Sequence, residues 1–283
     1  MDGDAGAARF IDAEGVRVHV AQWGAGEDVL LIHGASSDMG VFEPTVVPLL
    51  QNRFRVTAYD RPGMGSTAER PPLAETLEVQ AKVAAGVIDR LGLNRPIVIG
   101  HSYGGSVALR LALDYPGKVA GLVVIAAVAY DWPGGVSWHL HWSSNPVVGT
   151  LFNQVLTRPF IDTAIRSGTL NAFSPSALPV DYLVRAGVMR AARPSAMRAN
   201  SLDVTALKPE IIAQQARYPE IRVPVGIITG DSDTVVSPMI HSVKLAQTLP
   251  KARIDVLHGV GHLPHEASPE RFAKLVDWVQ SEK

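Results

Sequence analysis

Residues Pro96 to Arg110 read PIVIGHSYGGSVALR: an apolar run, a glycine-rich corner holding Ser102, then apolar residues at helical spacing. The run from Pro96 to Gly100 is short and apolar throughout, as a strand buried on both faces must be. From Gly104 to Asp114 apolar residues recur three and four apart, which marks one face of a helix. A strand that turns through Gly-x-Ser-x-Gly into a helix makes a sharp elbow. The glycines remove Cβ atoms that would collide, and the serine hydroxyl projects above the sheet beside free helix N–H groups that favour negative charge. The plainer reading is a tight turn of small residues, and a serine hydroxyl is a weak nucleophile without a base. The rest of the chain has to decide.

Outward from this stretch, comparable apolar runs occupy Val29–His33, Phe54–Asp60, Val119–Val128, Val223–Thr229 and Ala252–His258. Val16–Trp23 alternates instead, as a half-buried strand does, and is placed to pair antiparallel with Arg9–Ile11 across a short turn. Helical periodicity fills Thr76–Leu91, Pro238–Leu249 and Ser268–Gln280. The alternation predicts an α/β fold, a mostly parallel central sheet with helices on both faces and ligands near the carboxyl ends of the strands. From Asp131 to Glu220 the alternation stops, and Pro133, Pro146, Pro159, Pro175, Pro179, Pro194 and Pro209 are expected to keep the helices short. This predicts a helical cap inserted between core strands: residues 1–130 and 221–283 form the core domain and 131–220 the cap or lid over the catalytic face.

Composition narrows the function. Of 283 residues, 19% are charged, the formal net charge is -1 and there is no run of Lys or Arg, so neither nucleic acid nor an anionic membrane is an expected partner. The chain has no cysteine, which removes disulfides, thiolate nucleophiles and thiolate metal sites together. Its start, MDGDAGAARF, lacks the basic and apolar regions of a secretory signal, and no apolar stretch is long enough to span a bilayer, so a cytoplasmic location is expected.

The base must lie in a loop at the carboxyl end of a late strand. Among nine histidines, His262 in HGVGHLPHE follows the strand at Ala252–Leu257 and has Gly261 before it for close backbone approach. It is the first choice, with His258 and His265 as alternatives. The loop after Val223–Thr229, ITGDSDTVVSP, offers Asp231 and Asp233 as the carboxylate that would fix the tautomer of the imidazole and stabilise the imidazolium. Asp233 is preferred, because Asp231 directly after Gly230 suits a turn-former that caps local amides. The order Ser102, Asp233, His262 is the chain order of the triad that goes with such an elbow.

The motifs HGASS, DRPGMGS, GHSYGG, GDSDTVV and GVGHLPHEASPE together make the chain resemble an α/β-hydrolase over nearly its full length, the insertion apart. The resemblance implies that the second aspartate of Gly-Asp-x-Asp supplies the acid, in favour of Asp233. It also implies an oxyanion hole built from the backbone N–H of Tyr103 and that of Ala35, with His33 and Gly34 shaping the turn. DRPGMGST lacks the endings of phosphate-binding loops, and Asp60 and Arg61 are expected to pair and brace it. His33 is a candidate substrate contact as the alternative to its turn-shaping role, and Trp132, Trp138 and Trp142 form an aromatic part of the lid that either contacts substrate or packs the lid internally. His139 and His141 have no third ligand near in sequence, so no metal is expected. The chemistry that follows is cleavage of a small-molecule ester through an acyl-enzyme, carboxylesterase-like, without a cofactor. Carbon–carbon bond hydrolysis, lactone hydrolysis and perhydrolysis use the same groups. A non-catalytic ligand-binding receptor on this fold is the reading from another class. Oligomeric state is not expressed in the sequence.

Overall fold

The computed structural model of the chain describes residues 8–135, 138–145, 149 and 160–283. Its centre is an eight-stranded sheet in the order β1-β2-β4-β3-β5-β6-β7-β8. The strands are β1 (Arg9–Ala13), β2 (Val16–Trp23), β3 (Glu27–Ile32), β4 (Phe54–Tyr59), β5 (Ile97–His101), β6 (Gly121–Ile125), β7 (Val225–Gly230) and β8 (Ala252–Leu257). β1 and β2 form the expected hairpin, with Ile11 opposite Val18. Its two-residue turn, Glu14-Gly15, has φ of 57° and 75°, the left-handed pair that matches the twist of two antiparallel strands. β2 meets β4 antiparallel, and every later pairing is parallel.

The parallel strands are apolar on both faces because both faces are covered. Val98, Val124 and Ile227 pack on one side, under α1 (Leu77–Leu91) and α2 (Tyr103–Asp114). Ile97, Ile99, Val123 and Ile228 pack on the other with Phe272, Leu275 and Val279, which come from the C-terminal helix Pro269–Glu282. α1 begins where Thr76 accepts a hydrogen bond from the Val79 N–H and ends at Gly92 in the left-handed conformation, the usual start and stop devices. The helix expected over Pro238–Leu249 is split: a π-turn at Met239–Val243 precedes a short α-helix at Lys244–Thr248.

Between β6 and β7 the described residues form helices and no strand. Three of them matter for the site: α3 (Trp138–Ser144), α4 (Ile161–Phe173) and α5 (Pro194–Gln215). Pro194 opens α5, where its missing N–H costs nothing. Pro209 corrects the expectation of short pieces, since it lies inside this 22-residue helix. Burial of Leu207, Ile211 and Gln214 around it outweighs the one backbone hydrogen bond that proline removes. No helix among the described residues is long and apolar enough to cross a membrane.

α5 is tied to the core by charge. Arg61, fully buried at the end of the strand β4 loop, donates from Nη1 to Asp203 on α5 at 2.7 Å, and Arg70 donates to the other Asp203 oxygen at 2.7 Å. The expected pairing of Asp60 with Arg61 is therefore corrected. Asp60 instead pairs with His19 at 2.9 Å and accepts from the Met39 and Ser66 N–H groups, while Arg61 turns toward α5. Removing one partner of a buried pair leaves the other charge uncompensated, so Asp203→Ala is expected to lower the unfolding free energy by about 3–5 kcal/mol. Urea unfolding of the two proteins measures this, and a loss below about 1 kcal/mol would mean that Arg61 is satisfied without Asp203.

Candidate active site

The corner after β5 is drawn as tightly as the sequence suggests. Ser102 has φ 53° and ψ −117°, a conformation that a residue with a Cβ adopts at a cost of about 1–3 kcal/mol. It is held there by its own backbone: its N–H donates to Ile125 O at 2.8 Å, and its carbonyl accepts from the Gly105 N–H at 2.9 Å. A Cβ on Gly104 would lie 2.1 Å from Ile32 O, and one on Gly105 would lie 2.4 Å from the Ala127 Cβ. Only glycines let α2 start this close to β3 and β6. Among the described residues no acceptor takes the N–H of Tyr103 at the head of α2, or that of Ala35 in the loop after β3. Ala35 borders the same cavity as Ser102.

The two aspartates after β7 separate cleanly. Asp233 is buried; its Oδ1 accepts from the Val235 and Val236 N–H groups at 2.8 and 2.9 Å, and its Oδ2 lies 2.7 Å from His262 Nδ1. Asp231 forms a similar pair on the surface, with His258 Nδ1 at 2.7 Å and the Gly259 N–H at 2.8 Å. The His258 hydrogen bond, with those of Gly259 and Ser232, holds the Asp231 carboxyl below its ordinary range. This second pair is exposed, is not among the described cavity lining and joins the loop after β7 to the loop after β8.

His262 is also fixed through its backbone. Its N–H donates to Ala172 O in α4 at 2.9 Å, and its carbonyl accepts from His101 Nε2 at 3.1 Å. A Cβ on Gly261 would lie 2.1 Å from Ser174 O, the close approach expected of that glycine. With Nδ1 donating to Asp233, His262 Nε2 is left as the acceptor nitrogen. Among the described residues no hydrogen bond joins it to Ser102 Oγ; both residues line one cavity, and such bonds commonly lengthen until substrate draws them together. His265 also borders the cavity, but among the described residues no carboxylate lies within hydrogen-bonding distance of its ring; Glu266 is 3.8 Å away. His101 was not singled out from sequence. Burial and the neighbouring His262 and His265 keep its imidazole neutral well below pH 6.5.

The cavity holds about 980 Å³ and runs between the sheet and the helical segment. Its described lining is mainly apolar, including Val41, Met64, Leu140, Ile161, Ile165 and Met197. The aromatic candidates fare differently. His33 shapes the turn and is not a substrate contact: it is fully buried, its Nδ1 donates to Gly34 O at 2.9 Å and its Nε2 accepts from the Arg61 N–H at 3.0 Å, so both ring nitrogens serve the backbone. Neither Trp132 nor Trp142 is among the described lining residues; Trp132 packs against His241 and under Lys208, and Trp142 is half exposed. The Trp138 side chain lies outside the described residues. No group of three metal-ligating side chains occurs among the described residues.

Comparison with known proteins places this geometry. Residues 29–275 match a family model described as the alpha/beta hydrolase family. The pimeloyl-(acyl-carrier protein) methyl ester esterase of Nitrosomonas europaea is 31% identical over 265 residues, covering 92% of this chain and 98% of that protein. The 2-hydroxymuconate semialdehyde hydrolase of Pseudomonas putida is 28% identical over 285 residues, covering 95% of this chain and 92% of that one. A solved esterase from Exiguobacterium antarcticum shares the fold, with a TM-score of 0.77 at 20% identity over 96% of this chain and 98% of that chain.

The buried imidazoles make stability depend on acid. Burial lowers His33 and His265 to about 3 and His241 to about 4, against 6.5 for an exposed ring. Between those values and 6.5 the unfolded chain binds protons that the folded chain does not. Stability is therefore expected to hold above pH 6.5 and to fall as the pH drops below it, by at most about 1.4 kcal/mol per pH unit for each ring. Urea unfolding at pH 7, 6 and 5 checks this, and His265→Phe should make the slope shallower. Equal stability at pH 7 and pH 5 would contradict it.

Proposed function

The chain belongs to the alpha/beta hydrolase family, and from that premise we propose that it is a serine hydrolase cleaving carboxylic esters through an acyl-enzyme. The observation that carries this reading is the buried 2.7 Å contact of Asp233 with His262, beside a cavity that the strained Ser102 also lines. In the proposed mechanism His262 Nε2 takes the proton of Ser102 Oγ as that oxygen adds to the ester carbonyl. The N–H groups of Tyr103 and Ala35 receive the developing oxyanion, a contribution worth about 2.7–4 kcal/mol per donor. The imidazolium, steadied by Asp233, then protonates the departing alkoxide. Water, deprotonated by the same imidazole, attacks the acyl-enzyme and returns Ser102 to its starting state. These steps ask for no cofactor.

The apolar lining supports a small-molecule ester with a sizeable hydrocarbon part. Residues 131–220 are proposed as the cap that encloses it, since α3, α4 and α5 all contribute lining residues. The likeness to the methyl ester esterase favours ester cleavage. A second reading, hydrolysis of a carbon–carbon bond in a dienoate substrate, rests on the likeness to the Pseudomonas putida hydrolase and uses the same three side chains.

The test is turnover of p-nitrophenyl esters of increasing acyl length, alongside a lactone and a dienoate ketone, together with labelling by a fluorophosphonate. The expected result is labelling of the wild-type protein and ester hydrolysis that falls by at least about ten-thousandfold in Ser102→Ala and in Asp233→Asn. His258→Ala, in the surface pair, is expected to keep full activity. Turnover of the dienoate alone would establish the second reading. No labelling and no turnover of any of these would make the protein a binder rather than an enzyme.

A further inference from the structure

The loop that carries Ala35 is held from outside the sheet. Gly34 O accepts three hydrogen bonds: from His33 Nδ1 at 2.9 Å, from Ser37 Oγ at 3.1 Å and from Arg61 Nη2 at 3.1 Å. That oxygen and the Ala35 N–H belong to one planar trans peptide, in which the two point in opposite directions. Fixing the oxygen inside the protein therefore fixes the direction of the N–H as well, and Ala35 borders the cavity. The next peptide is fixed as well. Ser36 stands at φ 53°, in the left-handed region that disfavours a residue with a Cβ, and its N–H donates to Asn200 Oδ1 at 2.6 Å.

Both restraints lead to α5. Asn200 and Asp203 are one helical turn apart and so face the same way, both buried. Asn200 takes the Ser36 N–H directly. Asp203 acts through Arg61, which it grips while that guanidinium donates to His33 O and Gly34 O, both at 3.1 Å. Because the Ser36 N–H can only donate, the amide of Asn200 must turn its oxygen to the loop. The orientation is thus dictated chemically.

We propose that α5 sets the oxyanion site: Asn200, and Asp203 through Arg61, are positioning residues that lock the two peptides on either side of Ala35, so that the Ala35 N–H faces the reacting carbonyl only while α5 is docked. This rests on the serine-hydrolase reading above. It assigns the helical segment a part in transition-state stabilisation in addition to enclosing substrate. Asn200 is the residue to test, since loss of Asp203 also strands a buried Arg61.

The experiment compares wild type with Asn200→Ala and with Asn200→Leu, which keeps the volume and loses the acceptor. Steady-state kinetics on a p-nitrophenyl ester are read beside binding of an aryl trifluoromethyl ketone. Ser102 Oγ adds to that ketone's carbon, its proton passes to His262, and the ketone oxygen becomes an oxyanion in the place of the ester's. The expected result is a fall in kcat of about 10- to 100-fold with KM within about twofold, because a loosened donor costs less than the 100- to 1000-fold of a deleted one. Affinity for the ketone falls by the same factor, while ester binding to Ser102→Ala is unaltered by adding Asn200→Leu. Unchanged kcat and ketone affinity in both variants would overturn the proposal, as would an equal loss of ester binding in the Ser102→Ala background, which would mark a packing role. If wild type itself neither hydrolyses the ester nor binds the ketone, the serine-hydrolase reading fails and this one falls with it. A hydrolysing wild type with indifferent Asn200 variants sinks the positioning role alone.

Discussion

The closeness of α2 to the carboxyl end of β3 is the constraint from which the rest of the site follows. The helix starts so near that strand that the Gly104 position stands 2.1 Å from Ile32 O, measured to the Cβ it lacks. Such contact compresses the link between β5 and α2 into a single residue, Ser102, and forces that residue to positive φ. A hydroxyl at this point stands above the sheet edge at the mouth of the helix dipole, whichever chemistry it performs. The loops after β3, β7 and β8 leave from the same edge of the sheet, because parallel strands end side by side, and Ala35 and His262 line one cavity with Ser102.

Each of those loops is stiffened by backbone hydrogen bonds rather than by packing alone. Asp233 is tied down by two N–H groups before it meets His262, which leaves one carboxylate oxygen for the ring. Two accepted N–H bonds also steady the charge of a buried carboxylate whose desolvation would otherwise be costly. His262 is gripped at its N–H by α4 and at its carbonyl by His101. The imidazole, held to Asp233 through Nδ1, is thereby given one orientation without any covalent tie.

The elements written in local sequence were legible. The elbow, the strand ends and the glycines beside them depend on residues within a few positions of one another, so periodicity and turn chemistry expose them. The two aspartates after Gly230 sit otherwise than local turn chemistry suggests: Asp233 caps the local Val235 and Val236 amides and also meets His262, whereas Asp231 finds His258 and Gly259 in the loop after β8. What escaped depends on distant encounters. Arg61 is adjacent to Asp60 in sequence and suggested a local pair, whereas burial sends each to a partner in another element: His19 in β2 for one, Asp203 in α5 for the other. Asn200 gave no signal, being one of several polar residues in a helix whose buried face mixes alanine, serine, aspartate and glutamine with leucine and isoleucine. For Trp132 the sequence leaves pocket lining and internal packing equally open, and its ring packs against His241 and Lys208.

The Arg61–Asp203–Arg70 cluster is hard to justify on stability grounds. Taking three ionised groups out of water costs several kcal/mol for each, and their attraction recovers this only with full hydrogen bonding. An apolar residue at position 203 and another at 61 would fill the same space without that cost. What an apolar pair could not do is direct two N–H donors at the carbonyls of His33 and Gly34, for which a planar guanidinium of fixed geometry is suited. Asp203 in turn fixes the plane of that guanidinium, and Arg70 neutralises the remaining carboxylate oxygen. The arrangement makes sense as a device for orientation: a buried charge is retained where the direction of a backbone peptide, rather than the free energy of folding, is what the site requires.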